Sequence, residues 1–159
     1  MRVRSILLLT VLFASTPLGA QALSTLDARA AQAIISGCAV HAAARKQSHA
    51  IAVLDVGGGL VAALRMDGNG YGIMDFALAK AKAVSAWGFS TAQMAESARE
   101  TPGFGDAPHV VTVAGGLPVF AGDGRTRIGA VGVSGEAPAD DAACAEAGIT
   151  AAGLKSTRG

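Results

Sequence analysis

Two short apolar runs, Ala50–Val56 and Leu60–Met66, are separated only by Gly57-Gly58-Gly59. Three residues cannot return the chain for a parallel pairing, which needs a crossover of a dozen or more, so the runs must form a hairpin. A second group carries the same constraint. Val110–Ala114 and Leu117–Ala121 flank Gly115-Gly116, and Gly122–Thr126 turns the chain into a further strand-like run, Arg127–Ser134. Connections this short within each cluster predict a central, mainly antiparallel sheet.

The segments between read as helices. Ser24-Thr25-Leu26-Asp27 has a capping-box pattern, after which Leu26, Ala30, Ile34 and Val40 recur at near-helical spacing until about Arg45-Lys46. After the loop Asp67-Gly68-Asn69-Gly70, an alanine-rich stretch from Gly72 to Trp87 reads as a long helix. Ser90-Thr91-Ala92-Gln93 is a second capping box, which restarts a shorter helix through about Arg99. Thr101–His109 holds two prolines and two glycines and reads as an exposed loop. Pro138 suits the first turn of a last helix, with Asp140 and Asp141 near its positive end. The predicted order is helix, hairpin, two helices, three strands, helix: an α/β (α+β) domain with helices packed on the sheet.

The chain's start has another character. Arg2 and Arg4 precede an apolar stretch from Ser5 to Ala14, and Ala20-Gln21-Ala22 offers the small-x-small pattern of a cleavage site. The stretch is about half the ~20 residues that a membrane span needs, so residues 1–22 read as a signal peptide and 23–159 as a single domain. The expected location is periplasmic or secreted, with no membrane span in the mature chain. Removing Arg2 and Arg4 from the 13 Lys+Arg leaves 11 against 12 Asp+Glu, with no basic run to neutralise phosphates, which argues against nucleic acid as a partner. Charged residues are only 16% of the chain, against about 25% in an ordinary soluble domain, and a surface so poor in charge is expected to continue into further copies as a homo-oligomer. Cys38 and Cys144 permit one intramolecular bridge; two small buried hydrophobes are the other reading.

Familiar catalytic motifs fail on inspection. Gly57–Gly59 hands over to a strand rather than to a helix whose N–H groups meet a phosphate, so a hairpin turn is expected. Gly132-Val133-Ser134-Gly135-Glu136 is offset from the nucleophile elbow: Ser134 reads as a strand end and Gly135 as the bend before the last helix. Histidines are too few and too scattered for a closed zinc site. A haem iron needs only one or two axial ligands, and His41, His49 and His109 are the available imidazoles. Because His49 and His109 both precede predicted strands, they are expected at the same sheet edge. Arg65 ends a hairpin strand, while Asp75 and Lys80 stand about 140° apart on an alanine-rich helix, either lining a cavity for a carboxylate-bearing ligand or serving as solvated or subunit-bridging charges.

Val53-Leu54-Asp55-Val56-Gly57-Gly58, Leu60-Val61, Arg65-Met66-Asp67, Asp75 with Lys80-Ala81, Gly115-Gly116-Leu117-Pro118, and Ile128–Gly135 followed by Asp140-Asp141 together resemble the GlcG/HbpS-like family of haem-binding proteins. The motifs follow the family's order across almost all of the mature chain. The resemblance implies a compact α/β domain with an antiparallel sheet, assembly into tetramers or octamers, and haem as the cofactor in some exported members. The leading expectation is thus an exported, oligomeric haem-binding protein, haem-handling or redox-sensing, with iron reached by His49 or His109 and propionates met by Arg65 or Lys80, while Asp75 lies on the same helix. The alternative is a lyase- or isomerase-like enzyme, or a binding protein, for a small hydroxy or keto acid, with Asp75 or Lys80 carrying protons.

Overall fold

The computed structural model describes residues 25–159; the expected signal peptide, its cleavage site and Ser24 lie outside them. In chain order the elements are α1 (Ala28–Arg45), β1 (Ala50–Asp55), β2 (Leu60–Arg65), α2 (Tyr71–Trp87), α3 (Thr91–Glu100), β3 (Gly116–Phe120), β4 (Arg127–Ser134) and α4 (Pro138–Ala151). The sheet runs β2-β1-β4-β3 and every neighbouring pair is antiparallel. The fold class read from the sequence is the one observed.

Alternation along β1 sorts the two faces of the sheet. Ile51 and Val53 join Ile34, Cys38, Cys144 and Ile149 in the core beneath α1 and α4. Ala50, Ala52 and Leu54 point the other way, onto Ala77 and Ala81 of α2. Ile34 and Ile51 are fully buried, each worth about 1.5–3 kcal/mol of apolar burial. Gly132 is what lets α2 lie so close on β4, since a Cβ there would strike the carbonyl of Ala77. A disulfide joins Cys38 of α1 to Cys144 of α4, with their Cα atoms 4.7 Å apart.

Two local expectations are corrected. The first helix begins at Ala28 with Asp27 as its cap, the carboxylate accepting from the Ala30 N–H at 2.7 Å. The start is delayed because the Leu26 N–H donates to the Ile128 carbonyl and Leu26 is drawn into the core, which holds Leu26 itself against the sheet. Val110–Ala114 is not a strand; β3 starts at Gly116. Backbone pairing reaches Gly115, whose carbonyl accepts from the Val133 N–H at 2.9 Å, and stops there: the φ of +124° at Gly115 turns the chain out of line, and β4 itself ends at Ser134. Other expectations agree: the Gly57–Gly59 turn, the Ser90–Gln93 capping box and the Pro138 helix start are all present.

Candidate functional site

Lys80, Asp141 and His49 form a polar knot between the sheet and two helices. They come from α2, from the first turn of α4 and from the residue before β1, and none is more than 2% exposed. Asp141 is the hub. Its Oδ2 accepts from Lys80 Nζ at 2.9 Å, while its Oδ1 accepts from His49 Nδ1 and from the Glu136 N–H, each at 3.1 Å. The Lys80 ammonium also lies 4.8 Å from the centre of the Phe76 ring. Three donors on one carboxylate offset the loss of water that makes a buried charge costly. Gly115 is required beside them: its φ is +124°, and a Cβ there would stand 2.7 Å from Lys80 Nζ. The other ring nitrogen of His49, Nε2, is buried without a hydrogen-bond partner among the described residues.

His109 lies elsewhere, in a cleft of about 330 Å³ with the hairpin turn Gly57-Gly58 on one side and Lys82, Ser85 and Ala86 of α2 on the other. His109 is exposed and takes a left-handed φ of 62°. The cleft is shaped from both elements. Asp55 accepts the N–H groups of Gly57 and Gly59 at 2.9 and 2.8 Å, and Ser85 donates to the Asp55 carbonyl at 3.3 Å, which ties the turn to the helix. Lys82 is exposed and makes no ion pair among the described residues.

The two histidines therefore do not share one edge of the sheet. His49 stands at the start of β1 and His109 beside the turn that follows its end, a strand of six residues away, about 20 Å at ~3.3 Å per residue. Arg65 is exposed at the end of β2, where its guanidinium donates to the Asn69 carbonyl. Asp75 is exposed on α2, whereas Lys80 is enclosed, so they line no common cavity. Sequence reading placed Asp141 only as a partner of the helix dipole and so missed the hub. A lysine facing a sheet from an alanine-rich helix does demand a counter-charge, but nothing local says which carboxylate supplies it.

His41 of α1 is the third imidazole. Its Nδ1 lies 3.3 Å from Arg45 Nη1, and its Nε2 is buried without a partner among the described residues. Desolvation holds its pKa below the ordinary 6.5, with Arg45 and His49 acting in the same direction and Asp140 against them.

A four-stranded antiparallel sheet between helical layers, with an open cleft beside its glycine turn, defines a small α/β class of domain. The sequence matches the model of the family described as "Haem degrading protein HbpS-like" over residues 26–150, and the chain belongs to that family. Solved structures of similar fold include Klebsiella pneumoniae protein ORFY, at 24% identity, TM-score 0.75, and coverage of 87% of this chain and 97% of that one. A PduOC:heme complex matches at 19% identity and TM-score 0.74, covering 84% of this chain and 99% of that one. A double mutant of Streptomyces reticuli HbpS matches at 26% identity and TM-score 0.72, covering 89% and 97%. None of the curated proteins compared with the chain matches it.

Proposed function

We propose that this chain is an exported, homo-oligomeric haem-binding protein that holds the porphyrin at the cleft beside Gly57-Gly58, with His109 toward iron and Lys82 toward a propionate. The observation that carries this reading is the placement of His109: it is the imidazole lining one of the domain's open clefts, whereas His49 is fully enclosed and its Nδ1 is committed to Asp141. The donor set suits the group. A neutral imidazole is a haem ligand, an unpaired ammonium suits a carboxylate, and the Gly57-Gly58 wall carries no side chains to obstruct a flat ring. When bound, haem supplies a redox-active iron. Lys80 is too deeply enclosed to reach a propionate, and Arg65 stands at the opposite end of the hairpin from the turn, so Lys82 takes the part expected of them.

Membership of the HbpS-like family and likeness to a protein solved with heme support the ligand class. The Cys38–Cys144 bridge supports export to the periplasm or beyond, because disulfides persist in oxidising compartments. Among the described residues no helix is long and apolar enough to cross a membrane. Leu60 on edge strand β2 is 58% exposed and Tyr71 at the start of α2 is 83% exposed, apolar surface that a further copy of the chain would cover. Hemin titrated into the protein is expected to develop a saturable Soret band. No saturable change would overturn the reading.

A further inference from the structure

A larger groove, of about 380 Å³, shares no lining residue with the His109 cleft and lies where α2 ends and α3 begins. Its walls are hydrogen-bonded structure. Gly88 closes α2, and the Ser90–Gln93 capping box opens α3. Across from them stand Pro118 and Phe120 of β3, and the chain's last residues run along that strand's outer edge, Phe120 and Lys155 exchanging backbone hydrogen bonds of 2.7 and 3.1 Å. A groove framed in this way needs little reorganisation to receive a ligand.

Its chemistry is one-sided. Phe89, half-buried, supplies an aromatic ring, and Phe120, 5% exposed, forms part of the floor. Ser156 and Thr157 supply hydroxyls, and Gln93 has its oxygen committed to the Ser90 N–H and hydroxyl, at 2.9 and 3.1 Å, so its amide NH2 is what it offers a ligand. Arg158 lies on the rim, its guanidinium 5.9 Å from the centre of the Phe120 ring, with no ion pair among the described residues. A second guanidinium, that of Arg127, lies behind Gly88 and donates to the Val84 and Ser85 carbonyls at the end of α2, offsetting the negative end of that helix. Among the described residues no carboxylate side chain lines the groove, and neither does an imidazole.

We propose that this groove is a second ligand site, distinct from the His109 cleft, for a planar aromatic carboxylate. The Phe89 ring meets the apolar body over a floor that includes Phe120, and Arg158, the hydroxyls and the Gln93 amide donate to the two carboxylate oxygens. The absence of an imidazole separates this site from one that holds haem iron.

The test is an amide-shift titration of the isotope-labelled protein with sodium benzoate, with benzylamine and sodium acetate as probes lacking the charge or the ring. Benzoate is expected to shift Gly88, Phe89, Gln93 and Ser156 to Arg158 saturably, and the other two to leave them in place. Arg158→Glu, at an exposed position near the chain's end, should weaken benzoate binding roughly fivefold or more. Phe89→Ala should weaken it independently of charge. A flat benzoate titration, an equal response to benzylamine or acetate, or unchanged binding in Arg158→Glu would overturn the proposal. Hemin titration is unaffected by these variants if the two sites are separate; loss of both activities together would show a single site and overturn it as well.

Discussion

Lys80 and Asp141 stand 61 positions apart in sequence and share an ion pair of 2.9 Å in the interior, with the ammonium 1% and the carboxylate 2% exposed. The pair ties α2 to α4 across the end of β4, where Lys80 Nζ also donates to the Val133 carbonyl at 2.9 Å. Lys80→Met removes one partner and leaves a buried carboxylate with only His49 and the Glu136 N–H. It should lower stability by about 3–5 kcal/mol in urea unfolding. A loss below about 1 kcal/mol would mean that the pair is hydrated or dispensable.

The Cys38–Cys144 bridge closes a loop with a sequence separation of 106 residues, so it removes much of the freedom of the unfolded chain. Reduction, or Cys38→Ser with Cys144→Ala, should destabilise the domain by about 2–5 kcal/mol. Unfolding followed with and without reductant checks this, and free-thiol counting on protein from its own compartment shows whether the bridge forms there.

Backbone space beside the knot is the next expectation. Gly115→Ala forces a side chain onto a positive φ and toward Lys80 Nζ, while Gly132→Ala pushes α2 off β4. Each should cost at least about 1–3 kcal/mol, the range for overpacking a filled interior. Thermal unfolding of both variants measures it, and an unchanged midpoint in either would contradict the packing described.

His41 gives a pH dependence. Its folded pKa is lowered, first by desolvation and then by Arg45 and His49, although Asp140 opposes them. The folded state thus favours the neutral ring, while the unfolded chain takes up a proton near the ordinary 6.5. Its stabilising contribution is therefore present above that value and is lost as pH falls through the folded pKa. His41→Gln should flatten part of the decline in stability between neutral and mildly acidic pH, seen by urea unfolding across that window. An unaltered pH slope in the variant would remove His41 as its source.

The sequence was most informative where the rule is local. A three-glycine connection admits a hairpin, the Ser90–Gln93 box opens α3, and Pro138 starts α4, each decided by residues within a turn of one another. Val110–Ala114 has the composition of a strand but fails to become one because the +124° φ at Gly115 turns it away from β4, which ends at Ser134. Capping by Asp27 rather than by Ser24 likewise follows from Leu26 packing under β4. At the site, His109 is legible as an imidazole in a loop, but its separation from His49 by the length of β1 is a property of the folded sheet. The role of Asp141 is hidden for the same reason, since its side-chain partners come from the residue before β1 and from α2.

The central claim is that His109, at the Gly57-Gly58 cleft, is the residue through which this domain engages haem. Hemin titrations of the wild type, His109→Ala and His49→Ala, read at the Soret band, test it most directly. Saturable binding is expected, weakened and spectrally altered in His109→Ala and retained by the folded fraction of His49→Ala. Unchanged binding and spectrum in His109→Ala would contradict it.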